Sequence, residues 1–175
     1  MNVMVNPSWS NVEKCFLLKS GKKSTYDGEK VATIEVQNIY ELGRLVALRF
    51  LEWVRDNPKG VVALPTGRTP EYFIKTLDLL KNNWNEPIMQ QSLREEGYIV
   101  DDKSSLFPDM NSLKFVMLDE FFPMFPTYRN SFCNYVNLFY IEPMGIPKEN
   151  VLSFDLIGNY HYYITNYDYN YIIII

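Results

Sequence analysis

Histidine is nearly absent from this 175-residue chain, which carries one, His161. That excludes a multi-histidine metal site or a two-histidine mechanism within the chain. Cysteine is almost as scarce, with only Cys15 and Cys133. Two cysteines build neither a disulfide framework nor a zinc set, so a reducing, cytoplasmic compartment is the simplest expectation. No apolar run approaches the ~18 residues of a membrane span. Residues 1–20 lack the apolar stretch and small-residue cleavage pattern of a secretory signal. An excess of positive charge is missing too: 17 Lys and Arg against 21 Asp and Glu give a net charge of -4. Nothing electrostatic therefore calls for nucleic acid or an anionic membrane as the main partner. What is present is a globular composition, 47% apolar and 22% charged, at a length suited to one domain or most of one.

Residues 1–30 read as an irregular N-terminal arm, broken at Ser20-Gly21-Lys22-Lys23-Ser24 and Tyr26-Asp27-Gly28. Lys30 to Val36 alternates β-branched residues and predicts a short strand. Asn38 to Asp56 predicts a helix with an apolar stripe on Ile39, Leu42, Val46, Phe50 and Trp53. Asn38 and Glu41 resemble a capping box at its start, and Asn57-Pro58-Lys59-Gly60 ends it. Gly60 to Leu64 predicts a strand buried on both faces, as in a parallel sheet. After the turn Pro65 to Pro70, Phe73, Leu77 and Leu80 mark another helix, with Thr69 suited to its N-cap and Pro70 to its first position. A polar connector over about 84–110 reads as an insertion, with a surface helix over Glu86 to Glu96. Lys114 to Leu118 predicts a second strand, so a right-handed parallel crossover is the expected topology. Asn130 to Tyr140 predicts a helix with Phe132, Tyr135, Val136 and Phe139 on one side, and Asn150 to Phe154 a third strand.

The character changes at Asn159: of the seventeen residues 159–175, fourteen are Asn, Tyr or Ile. All three have codons of A and T alone. Residues 159–175 therefore read as a frame error or truncated frame, with a genuine low-complexity tail as the alternative.

Two places could carry chemistry, both at the C-terminal ends of predicted parallel strands, where open α/β sheets bind ligands. In the turn after the first strand, Gly67 lets backbone approach a ligand, Thr66 and Thr69 offer hydroxyls, and Arg68 offers a charged fork. A helix start adds free N–H groups, which together make a phosphate cradle. An ordinary βα turn with a threonine cap fits the same residues. At the second strand end, Asp119 beside Glu120 suits a general base if the strand mouth desolvates it. A strand-end aspartate that caps the next loop is the alternative.

Taken in order, Leu64-Pro65-Thr66-Gly67-Arg68-Thr69-Pro70, Met117-Leu118-Asp119-Glu120-Phe121, Ser131-Phe132 and Ile146-Pro147-Lys148-Glu149-Asn150 resemble the glucosamine-6-phosphate deaminase (isomerase) family. The resemblance spans about Gly60 to Phe154 and takes in residues 31–158 as a partial domain, with the insertion at 84–110. It implies a three-layer α/β fold with a mainly parallel, Rossmann-like sheet, present as its N-terminal part. It implies that Thr66, Gly67, Arg68 and Thr69 bind a sugar phosphate and that Asp119 moves a proton between C1 and C2 of the amino sugar. No cofactor or metal is implied; the expected partner is a small sugar phosphate, and a homo-oligomer is compatible.

The chain departs from the family in lacking its later G-x-D-G-H-I-A-F-N-E-like segment, whose Asp, His and Glu assist ring opening. Gly158-Asn159-Tyr160-His161 lies too soon after the third strand to replace it. A sheet without later strands is expected to leave one edge unpaired, favouring self-association. Two other readings stand beside the deaminase: a 6-phosphogluconolactonase-type hydrolase, which shares the fold, and a sugar-phosphate-binding fragment without catalysis.

Overall fold

The computed structural model describes residues 8–154 and 172–174. The chain divides into two compact units, Met1–Trp53 with Glu71–Phe107, and Val54–Pro70 with Pro108–Ile175.

The first unit is helical: α1 (Asn11–Ser20), most of α2 (Ile39–Asp56), α3 (Glu71–Asn83) and α4 (Pro87–Glu95). Helix α1 corrects the expectation of an irregular arm. Ser10 accepts from the Glu13 amide while the Glu13 carboxylate accepts from the Ser10 amide, a full capping box, and Gly21 closes the helix at φ 65°. Val12, Phe16 and Leu17 are buried. The expected strand at Lys30 to Val36 is absent; the segment has no regular structure beyond bends. Its alternation finds no ladder, and the Thr33 amide instead donates to the Ser24 carbonyl at 2.7 Å.

Helix α2 begins as expected, with the Asn38 side chain accepting from the amides of Tyr40 and Glu41. Glu41 departs from the box and accepts from Gln37 instead. The buried face matches the expected stripe in part. Phe50 is buried and Val46 and Trp53 are half-buried, but Ile39 and Leu42 are exposed, and Ala47, Leu48, Leu51 and Val54 join the buried face. Gly43 lets α2 lie close to α3, since a Cβ there would lie 2.7 Å from the backbone of Tyr72. On α3 the expected Phe73, Leu77 and Leu80 are all buried, and Phe73 meets Phe50 edge-on at 5.5 Å. Each such burial contributes about 1.5–3 kcal/mol.

The insertion carries its helix, α4, within the expected span, but it is more than a surface element. Leu93, Tyr98 and Ile99 are buried, and Trp84 packs edge-on against Tyr98 and Phe107 while donating to the Ser105 carbonyl. Arg44 of α2 binds the Glu96 carboxylate at 2.6 Å.

The second unit holds a small parallel sheet of β1 (Val61–Ala63), β2 (Lys114–Val116), β3 (Val151–Leu152) and β4 (Ile172–Ile174), in the order β3-β2-β1-β4. Three of the four strands read from the sequence are present, as β1, β2 and β3, and are shorter than expected. They are parallel neighbours, with Val62 opposite Phe115 and Phe115 opposite Val151. Residues 61–64 are buried throughout, as a doubly covered strand requires. Strand β4 pairs in parallel with β1, Val61 opposite Ile172, which leaves β3 and β4 as the edge strands of the described sheet. His161 lies outside the described residues.

The helix expected over Asn130 to Tyr140 is a composite. An α segment (α5, Phe132–Val136) widens into a π turn (Asn137–Ile141) and ends in a last α turn (α6, Glu142–Met144). The widening shifts the phase of the buried face. Val136, Tyr140, Ile141 and Met144 are buried, while Phe139, expected on the inner side, is exposed. Pro143 lies just after the widened turn. It cannot donate to the carbonyl four residues back, and its ring crowds that carbonyl. No described helix is long and apolar enough to cross a membrane.

Candidate functional site

Both sequence-derived candidates fall in the second unit. Strand β1 ends at Ala63 and the chain turns through Pro65 to Pro70 before α3 begins at Glu71, one residue later than expected. Gly67 sits at φ +96°, a conformation that L side chains rarely adopt, with open space where a Cβ would be. Glycine is needed there for its backbone, not for room. Gly67, Arg68 and Thr69 are exposed, Thr66 is half-buried and Pro70 buried, so the tip of the turn faces solvent on a fixed base.

The base is held by two tyrosines. The Tyr135 hydroxyl donates to the Gly67 carbonyl and the Tyr140 hydroxyl to the Pro65 carbonyl, each at 2.7 Å. Tyr140 is fully buried, and its ring stacks on Phe115 of β2 with centroids 5.9 Å apart. Sequence reading placed Tyr135 on the helix without a role and did not see Tyr140 reaching the turn. Its only trace was an aromatic residue inside a helical pattern.

The second strand end corrects an expectation. Asp119 is exposed rather than desolvated. The half-buried carboxylate is its neighbour Glu120, which accepts from the Ser131 hydroxyl (2.6 Å) and the amides of Cys133 (2.9 Å), Phe121 (2.9 Å) and Phe132 (3.1 Å). Burial acts to raise the Glu120 pKa, but these four donors together outweigh it and hold the carboxyl below its usual range. Three of the donors belong to the start of α5, so Glu120 serves as an anion bound at that helix start. Asp119 is left open to solvent at the strand end.

Because β1 and β2 are adjacent and parallel, their C-terminal ends lie side by side, about 4.8 Å apart across the ladder. The turn 65–70 and Asp119 therefore leave the sheet at the same end and from neighbouring strands. Asn150, the last residue of the Ile146-to-Asn150 motif, works at the other end. Its amide donates to the Asn111 carbonyl and its oxygen accepts from the Lys114 ammonium, joining the starts of β2 and β3.

Cys133 is a poor candidate for a nucleophile: burial, and then the charge of Glu120, push its thiol up. Among the described residues, no group of three or more His, Cys, Asp or Glu is placed to hold a metal ion.

No model of a known protein family matches the chain, and no curated protein matches it by sequence. Its fold does have a solved neighbour, a monomeric glucosamine-6-phosphate deaminase described as a missing link of the NagB superfamily. The TM-score is 0.51 at 20% identity, over 66% of this chain. The chain spans 39% of the length of that structure. The likeness is one of fold, an α/β architecture with a small parallel sheet.

Proposed function

We propose that the chain acts in amino-sugar phosphate metabolism, converting glucosamine 6-phosphate to fructose 6-phosphate and ammonia. The observation that carries this reading is the shared strand end: a glycine turn with two threonines and an arginine beside a solvent-open aspartate, on adjacent parallel strands. The fold likeness to a glucosamine-6-phosphate deaminase supports it. In this reading Thr66, Gly67, Arg68 and Thr69 bind the phosphate through backbone N–H groups, hydroxyls and the guanidinium. Phosphate capture then fixes the sugar carbons near Asp119, which converts a bimolecular proton transfer into a local one. On the opened sugar the Asp119 carboxylate takes the C2 proton and the electron pair forms an enolamine. The proton returns at C1, leaving an imine at C2. Water adds to that carbon and ammonia departs. One carboxylate close to both carbons suffices for the transfers, and both protonation states are reached in each cycle.

A second reading is sugar-phosphate binding without turnover, which needs the exposed turn at Gly67, Arg68 and Thr69 but no proton transfer by Asp119. Ammonia release from glucosamine 6-phosphate, run beside loss of 6-phosphogluconolactone, tests the assignment. Ammonia release supports the deaminase; lactone consumption replaces it with the hydrolase. Thermal stabilisation by glucosamine 6-phosphate without turnover leaves the binding reading, and no stabilisation at all removes both.

A further inference from the structure

A turn that offers its N–H groups to a phosphate must point carbonyls elsewhere, and those carbonyls need partners. Here the carbonyls of Pro65 and Gly67 take theirs from Tyr140 and Tyr135. The two tyrosines are five residues apart on one helical run. On a straight α-helix that spacing leaves them about 140° apart, too divergent to serve one turn. The π turn Asn137–Ile141 narrows the divergence, because a wider turn advances each residue by less than about 100°. The Glu142 amide bonds to the Asn137 carbonyl, five residues back, and the wider turn brings the two rings to 6.1 Å between centroids. Burial, with the charge of Tyr135 second, pushes the Tyr140 hydroxyl well above its ordinary pKa, so it remains a donor at any working pH.

We infer that Tyr135 and Tyr140 are positioning residues for ligand binding: through the π turn they hold the Pro65 and Gly67 carbonyls and so fix the Thr66–Thr69 turn for phosphate. This rests on the sugar-phosphate reading of the turn. Both act through the backbone carbonyls of the turn.

Tyr135→Phe removes one hydroxyl and keeps the ring, and it is the primary variant. Tyr140→Phe tests the second bond at greater risk to the fold, because Tyr140 is buried. Two readouts are compared with wild type: the Kd for glucosamine 6-phosphate by calorimetry, and tryptic cleavage after Arg68 relative to cleavage after Lys59, both exposed. Loss of one hydrogen bond should weaken binding about threefold to tenfold. It should also accelerate cleavage after Arg68 while cleavage after Lys59 stays constant. Equal acceleration at both sites means a general loss of stability and overturns the clamp. Selective cleavage with an unchanged Kd overturns the positioning role. If the wild-type chain binds no glucosamine 6-phosphate, the proposed function and the positioning role fall together, while the cleavage ratio still decides whether the tyrosines hold the turn.

Discussion

The Glu120 carboxylate accepts a 2.6 Å hydrogen bond from the Ser131 hydroxyl, while the Ser131 oxygen itself accepts from the Asn134 amide at the start of α5. Ser131 thus links the end of β2 to the helix that carries Tyr135 and Tyr140. Two of the motifs recognised separately in the sequence, Asp119-Glu120 and Ser131-Phe132, are halves of one joint.

The joint predicts an acid limb of stability. The folded pKa of Glu120 lies below the ordinary 4.5, so folding favours the carboxylate. Its contribution is fully present above 4.5 and is lost as pH falls through the lower folded value. Glu120→Gln keeps the shape but sets an amide against donors. It should cost about 1–3 kcal/mol near neutral pH. Thermal melts of both proteins across pH should show the wild-type advantage steady at neutral pH and shrinking below 4.5. A gap that does not change with pH would show that the charge of Glu120 is not what matters.

Gly43 predicts an inversion of the usual helix rule. Glycine to alanine inside an exposed helix typically gains about 1 kcal/mol. At Gly43 the new Cβ would meet the Tyr72 backbone at 2.7 Å, and backbone cannot swing aside as a side-chain tip can. Gly43→Ala should therefore lower the urea midpoint, by roughly 1–3 kcal/mol of stability. A midpoint equal to or above wild type would mean that α2 and α3 are not packed this closely.

The elements that could be read from the sequence are those whose signals are local. Glycine and proline punctuate β1, and Phe73, Leu77 and Leu80 mark α3 at helical spacing. Ser10 and Glu13 made an equally local signal for α1, hidden by the polar breaks that follow it. The face of α2 was legible only in part: Phe50 lay on it, but the close approach of Tyr72 to Gly43 is a contact that no periodicity within α2 encodes. The strand-like alternation at Lys30 to Val36 failed for the same reason, since a strand needs a partner. At the candidate site the residue types were legible and their roles were divided differently. Of two adjacent carboxylates, the structure gives the hydrogen-bond donors to Glu120 and the solvent to Asp119. The tyrosine contacts span 68 and 75 residues of sequence and depend on a π turn, so no local pattern announces them.

Asp119 carries the most direct prediction about chemistry. Its side chain is exposed and Glu120 takes the load of holding α5, so Asp119→Asn should leave the fold intact and the melting temperature within a degree or two of wild type. If Asp119 is the base, the amide cannot accept the C2 proton, and turnover should fall by about 100-fold to 10,000-fold. Affinity for glucosamine 6-phosphate should stay within a few-fold, because the proposed phosphate site is the turn at the other strand end. Solvent deuterium exchange at C2 of bound sugar, followed by proton NMR, separates the step from product release. Exchange lost together with turnover assigns the proton transfer to Asp119. Near-normal exchange in Asp119→Asn would move the base elsewhere and leave the aspartate as a loop residue.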